Sequence, residues 1–416
     1  MDATADWVRD LDVDALARWY GTPLHILSEA RLAANLAALA SVPEGPSGIV
    51  FPVKANPSPG VLRFLAERGC RADCASAHEV RLAREAGFPI ERIVCNSPAP
   101  DPAWFVSMWM AGAVVVVDSP EVLRWIAEGS GAPHRPRPGK GKVFVRVNPQ
   151  GEFRYGDPTA WSHLVAHASP QGKFGIPAEE IESVLQGFPL PVDGLHVHVG
   201  TQMDRTEVFV AARDLLHGIA DRLREVFGHP VSTLDLGGGL GIPFAGSVRF
   251  PSNDEYAEAL ADGRRKDFNS WIAPGQGLVR DDPAMLTRVV ATKSMRGRKW
   301  TFCDVGSDQL MKASLLGWHH NVRHRGARLP IEGPDAVGGP LCFAGDVVLP
   351  ATCLDGVETG DLLLVESTGA YCFALANHFN GRLGPAHVAV APDGTVRKTL
   401  AAEGFEGDHA ARAGSV

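Results

Sequence analysis

What most constrains the fold of this chain is a rhythm of short apolar runs, each followed by a turn and a helix-like segment. The runs read GIVFPV (48–53), CRADCA (70–75), RIVCN (92–96), AVVVVD (113–118), VFVRVN (143–148), LHVHV (195–199), TLDL (233–236) and WIAPG (271–275). Between them lie segments such as PGVLRFLAERG, SAHEVRLAREAG and EVFVAARDLLHGIADRLREVFG. Their apolar positions recur every three or four residues, the helical period. Strands alternating with helices build a parallel sheet, because parallel neighbours need a crossover between them. Eight such units match a closed (β/α)8 barrel, and an open doubly wound sheet is the alternative. The expected fold class is α/β, with a TIM barrel over residues 29–280.

Past residue 280 the pattern changes. LTRVVATKSM, KWTFCDVG, LCFAGDVVL, DLLLVES and AHVAVAPDGTVRKTL read as strands separated by Gly, Pro and Asp turns. Residues 281–416 are therefore expected to form a mostly-β domain, joined by residues 1–28 through the strand-like TPLHILS (22–28). The segment GSGAPHRPRPGKGK (129–142) has the composition of a mobile surface loop. A length of 416 residues exceeds what one ordinary core organises, which agrees with two domains. Charged residues make up 21% and the net charge is −8, with no Lys/Arg run on a helix face, which argues against a nucleic-acid partner. No run approaches the roughly 18 apolar residues of a membrane span. The acidic start MDATADWVRD lacks a secretory pattern, and seven cysteines without a C-x-x-C pair indicate neither a disulfide framework nor a zinc site. A reduced, cytoplasmic enzyme-sized protein is the expectation.

In a barrel of this kind the active site lies where the strands end and the loops begin. The first strand runs into Lys54, within FPVKANPSPG. Partial desolvation there would free the amine for Schiff-base chemistry, whereas the ordinary alternative is a rim lysine in a surface ion pair. The sixth strand carries His196 and His198, which alternation sends to the same, interior face. Two inward histidines can ligate a metal, but the sequence offers no carboxylate or thiolate cluster to complete a site. A flat imidazole can instead stack on an aromatic ring. The seventh strand leads into Gly237, Gly238 and Gly239, whose bare N–H groups can hold phosphate oxygens, although a glycine run is also the mark of a tight turn.

With these stretches the sequence resembles the fold-type III pyridoxal-phosphate decarboxylases, the group that contains diaminopimelate and ornithine decarboxylases. The matching segments are FPVKAN, DCASAHE, RVNP, GKFGI, GLHVHVGTQ, LDLGGGLGIPF, CDVGSDQLM, GPLCFAGDVV and GAYCFALANHFNGR, in the family's order from about residue 50 to 382. The resemblance implies an alanine racemase-like barrel plus a β domain, and pyridoxal 5′-phosphate as cofactor. By position, it implies that Lys54 binds the cofactor covalently, that His198 stacks on its ring, and that Thr201 with Gly237 to Gly239 and Tyr371 holds its phosphate. Asp73 and Arg146 would support the ring region. Cys342 would be the acid that reprotonates the substrate carbon, and it and Asp346 would reach across a homodimer interface into the partner's site.

Two departures bear on chemistry. The family's E-P-G-R appears here as Ala273-Pro274-Gly275-Gln276, removing the carboxylate that pairs with the pyridine nitrogen and an arginine that binds phosphate. Positions that recognise the substrate tail in diaminopimelate decarboxylases hold Lys312, Leu316 and Phe343. An apolar or bulkier tail, with a carboxylate near Lys312, His319 or His320, fits these residues better, although both histidines also read as exposed loop residues. The expected function is decarboxylation of an amino acid or modified amino acid in specialised metabolism, neither diaminopimelate nor ornithine. Alternatives are an amino-acid racemase of the same fold and a catalytically silent, regulatory homologue.

Overall fold

A computed structural model describes residues 7, 11–43, 45–129, 141–149, 167, 172–280 and 284–403. Residues 130–140, most of the stretch expected to be a mobile loop, lie outside the described residues. A first strand, β1 (Leu24–Ser28), precedes eight parallel strands: β2 (Val50–Pro52), β3 (Arg71–Cys74), β4 (Ile93–Asn96), β5 (Val114–Val117), β6 (Val143–Asn148), β7 (Gly194–Val197), β8 (Thr233–Asp235) and β9 (Asn269–Trp271). Each of the eight pairs with its sequence neighbour. The sheet closes on itself by a parallel bridge between Ile49 and Ile272, with Val50 N donating to Ile272 O at 2.8 Å. The closed barrel, rather than the open sheet, is what forms.

Two-residue periodicity divides each strand between two cores. Outward residues such as Phe51, Ala72, Cys95, Val115, Val145, Leu195 and Leu234 pack against the surrounding helices in one large buried cluster. The inward residues Val50, Val94, Val114, Val116, Phe144, Trp271 and Ala273 form a separate cluster that fills the barrel. Phe144 and Trp271 approach at 5.2 Å between ring centroids. Gly194 makes room for them, since a Cβ there would stand 2.6 Å from the Phe144 ring. The interior is thus a plugged floor, and whatever the strands present above it faces the mouth.

The last barrel strand ends sooner than the apolar run implied. WIAPG turns after Trp271 because Pro274 has no N–H to continue a ladder, and a short helix, Gly275–Leu278, follows. Lys54 likewise lies one residue into a 3-10 turn, Val53–Ala55, and not on the strand itself.

The second region is a ten-stranded sheet in which β1 is inserted between β10 (Ala284–Met295) and a later strand. The others are β11 (Arg298–Cys303), β12 (Val322–His324), β13 (Asp335–Gly338), β14 (Val347–Thr352), β15 (Leu362–Val365), β16 (Ala386–Val390) and β17 (Val396–Leu400), with the two-residue Ala327–Arg328 at one edge. β1 runs antiparallel to β10 and parallel to β16, so the N-terminal segment is sealed in this sheet. LCFAGDVVL is strand only from Val347 onward; its first half is a turn. No helix among the described residues is long and apolar enough to cross a membrane.

The barrel floor gives a stability test. Phe144 is fully buried, and its truncation to alanine leaves a void that the rigid strands cannot close. Phe144→Ala is expected to cost about 3–5 kcal/mol in denaturant unfolding, with the midpoint falling and the slope unchanged.

Candidate active site

One step beyond the apolar floor, the same inward register carries polar side chains. Asp73 on β3, Asn96 on β4, Arg146 on β6 and His196 on β7 line a cavity of about 240 Å³ at the carboxyl ends of the strands. Lys54, His198, Thr201, Gln276 and Tyr371 reach it from the loops. Tyr371 is the residue supplied by the second region. It adopts a left-handed φ of 58° and donates its N–H to Ala55 O at 2.9 Å, beside Lys54.

Two groups of this rim, Arg146 and His196, are paired with carboxylates. Arg146 lies 3.3 Å from Asp118 Oδ2, and its guanidinium sits 4.3 Å over the ring of Phe174. Asp118 Oδ1 also accepts from Gly175 N at 3.0 Å, tying the GKFGI loop to the barrel. Asp235, fully buried at the end of β8, approaches His196 Nδ1 at 3.2 Å and accepts from Gly237 N at 3.0 Å. Burial pushes the Asp73 carboxyl up to about 6, against the opposing pull of Lys54 and His196. It is the one carboxylate among the described residues that line the cavity, and position 273 offers none.

His198 is held by its Nδ1, which accepts from Gly238 N at 3.2 Å. Burial and the neighbouring His167 keep its imidazole neutral, well below the usual range. His167, which sequence reasoning missed, meets it edge-on at 4.6 Å and stacks on Phe174 at 4.9 Å. Nothing in the sequence around His167 marked it. Asp118, Asp235 and Asn96 were also missed, yet Asn96 and Asp235 end their strands and Asp118 directly follows one, each in the inward register, so counting in twos could have found them.

Several expectations are corrected. Lys54 is exposed, so this chain by itself does not desolvate it; the cavity mouth is open beside it. The glycines were expected to offer bare N–H groups, but those of Gly237 and Gly238 are already bonded to Asp235 and His198. Their smallness answers a steric need: a Cβ would stand 2.2 Å from Val197 O at Gly237, 1.9 Å from Ala273 O at Gly238 and 2.1 Å from Gly200 O at Gly239. Gly237 and Gly239 face the cavity, whereas Gly238 does not.

Asp346 does not reach outward. It is buried, and it accepts from Ser307 N at 2.6 Å, Ser307 Oγ at 2.9 Å and Leu341 N at 2.7 Å, because the loop before β14 needs an acceptor at its base. Cys342 and Phe343 project from that loop into solvent, and neither lines this chain's own cavity. Lys312 is buried away from the cavity, as is His320, whose Nδ1 is 2.8 Å from Glu366 O; His320 is no exposed loop residue.

The rim fits a flat cofactor with an anionic arm. Thr201 Oγ1 donates to Gln276 Oε1 at 2.9 Å, and the buried Gln276 Nε2 beside it has no partner among the described residues. A buried amide donor facing a cavity calls for an acceptor. An amine, a neutral imidazole and an unsatisfied donor around one cavity define the class: a barrel enzyme built for pyridoxal phosphate.

The comparisons agree. Residues 29–276 match the family model described as "Pyridoxal-dependent decarboxylase, pyridoxal binding domain". A diaminopimelate decarboxylase of Archaeoglobus fulgidus is 31% identical over 401 residues, covering 93% of this chain and 92% of that protein. One from Actinosynnema pretiosum is 33% identical over 409 residues, covering 92% and 86%. The structure of the Helicobacter pylori diaminopimelate decarboxylase, complexed with L-lysine, superposes with a TM-score of 0.84 at 22% identity, covering 97% and 100%. The chain belongs to the pyridoxal-dependent decarboxylase family, and its cofactor is pyridoxal 5′-phosphate.

The buried carboxyl sets a pH test. Native Asp73 keeps its proton to about 6 whereas the unfolded residue releases it near 3.8, so its ionisation erodes stability as pH rises between those values. Asp73→Asn cannot ionise. In unfolding of the cofactor-free protein, the variant is expected to gain on the wild type by up to about 3 kcal/mol from pH 4 to 7, then hold a constant lead.

Proposed function

We propose that the chain removes the α-carboxylate of an amino acid or modified amino acid with an apolar or bulky tail, other than diaminopimelate or ornithine, in specialised metabolism. The observation that carries the substrate reading is at the tail positions. Phe343 is exposed where the family places a charged residue, and Lys312 turns away from the cavity. A phenyl group offers neither an ion pair nor a hydrogen bond to a charged tail, and a charge buried against it without such a partner would be penalised. The relatives' names weigh toward diaminopimelate, but they belong to proteins about one-third identical to this one.

Bound pyridoxal phosphate supplies a carbonyl that condenses with the substrate amine and a ring that accepts the electron pair left by departing carbon dioxide. Lys54, whose amine lines the cavity, would hold the cofactor through its aldehyde carbon. The Thr201 hydroxyl, the Gln276 amide and the Tyr371 phenol would hold the phosphate, and the neutral His198 would lie against the ring. Asp73 and Arg146 hold the ring surroundings in place, with Arg146 neutralised by Asp118. Proton delivery to the α-carbon falls to Cys342 of a second copy, because this thiol projects to solvent from a braced loop and does not face its own cavity. The protein would thus act as a homodimer with shared sites, working in the cytoplasm.

A carbon dioxide release screen over amino acids and their conjugates tests the substrate reading. Release is expected from an apolar-tailed substrate and should vanish in Lys54→Ala; faster turnover of diaminopimelate would overturn the reading. A racemase would instead invert the α-carbon without releasing gas.

The shared site has its own test. Lys54→Ala and Cys342→Ala are each expected to be crippled, whereas an equimolar mixture should regain about a quarter of wild-type activity. Half the dimers would be mixed, and one of the two sites in each would hold both native residues. No recovery after verified subunit exchange would count against it.

A further inference from the structure

We infer that Lys312, a residue of the segment that meets substrate elsewhere in this family, is a positioning residue: its ammonium fixes the strap that carries Tyr371 to the cofactor phosphate. Its place in the fold argues against contact with a substrate. The side chain is buried beneath the second sheet, and the space beside it is only about 10 Å³, room for a single water at most. Burial lowers the affinity of this amine for its proton, and whatever its protonation its buried N–H groups need acceptors.

Two backbone carbonyls supply them. Lys312 Nζ donates to Ala370 O at 3.2 Å and lies 3.5 Å from Ser367 O. These carbonyls bound a short strap whose two ends, Ser367 and Tyr371, both take left-handed φ values of 56° and 58°. Neither residue adopts that conformation freely, so the strap must be held from outside. On its other side Asn56 Nδ2 donates to Gly369 O at 2.8 Å, and Tyr371 N donates to Ala55 O at 2.9 Å. The single peptide unit joining Ala370 to Tyr371 is therefore gripped twice, its carbonyl by Lys312 and its N–H by the residue after Lys54. A methylene chain ending in three donors is the side chain that can reach two carbonyls from beneath the sheet. With the ammonium removed, the carbonyls lose their donor and the strained turn can relax, moving the phenol relative to the barrel rim.

This inference rests on Tyr371 contacting the cofactor phosphate. The test is titration of the cofactor-free protein with pyridoxal 5′-phosphate, and in parallel with pyridoxal, which lacks the phosphate, following the absorbance of bound cofactor. Tyr371→Phe and Lys312→Met are each expected to weaken pyridoxal-phosphate binding on the order of tenfold, with the double variant no worse than either. Pyridoxal should bind the wild type and Lys312→Met alike, and Lys312→Gln, whose amide still donates, should recover part of the loss. If Tyr371→Phe binds normally, the phosphate role of Tyr371 falls and the inference with it. If Tyr371→Phe is weakened but Lys312→Met is not, or the two losses simply add, Lys312 does not act through Tyr371 and only the inference fails. If neither Lys312 variant folds, the residue is a core element and the positioning role is rejected.

Discussion

A parallel barrel strand can send only every second residue inward, and the rest of this molecule follows from that restriction. Phe144 and Arg146 stand two apart on one strand, as do Val94 and Asn96 on another. In each pair the first residue helps to plug the barrel and the second points into the cavity. The residues between them, Val145 and Cys95, belong to the core beneath the helices. A slip of one residue in any strand would therefore exchange core for site, which is why the register and the chemistry are inseparable.

Placing charges on the last inward position of a buried strand has a consequence: each needs a partner nearby. Arg146 finds Asp118 just past the end of the neighbouring strand, and His196 finds Asp235, its register partner on the adjacent strand β8. Asp73, which lacks a partner at one oxygen, answers burial by holding its proton more tightly. These pairings leave the cavity wall polar, with the Lys54 and Lys173 amines, the Gln276 amide, Asn96 Oδ1 and one Asp73 oxygen among the groups that can meet a ligand.

The second sheet contributes by reaching back. Its strap delivers Tyr371 to the mouth, and the hydrogen bonds from Asn56 and to Ala55 tie it to the turn of Lys54. The same sheet braces the Cys342 loop through buried Asp346, so that the thiol and Phe343 face outward. One chain thus carries a cofactor cavity and, elsewhere on its surface, an exposed loop that bears Cys342 and Phe343.

The eight-unit rhythm was legible in the sequence because hydrophobic alternation is a local property, and so were Lys54, His198 and the glycine run, which sit at the ends of apolar runs. Local pattern does not report what a side chain meets from a distant segment. His167 lies against His198 only because the fold brings a remote loop there, and Asp346 and Lys312 turned inward because distant backbone groups needed a carboxylate and an ammonium. The glycines illustrate the division: the sequence by itself determined a flexible, side-chain-free turn. Only the tertiary structure decided that neighbouring carbonyls, pressed to within about 2 Å of any added Cβ, are what require it.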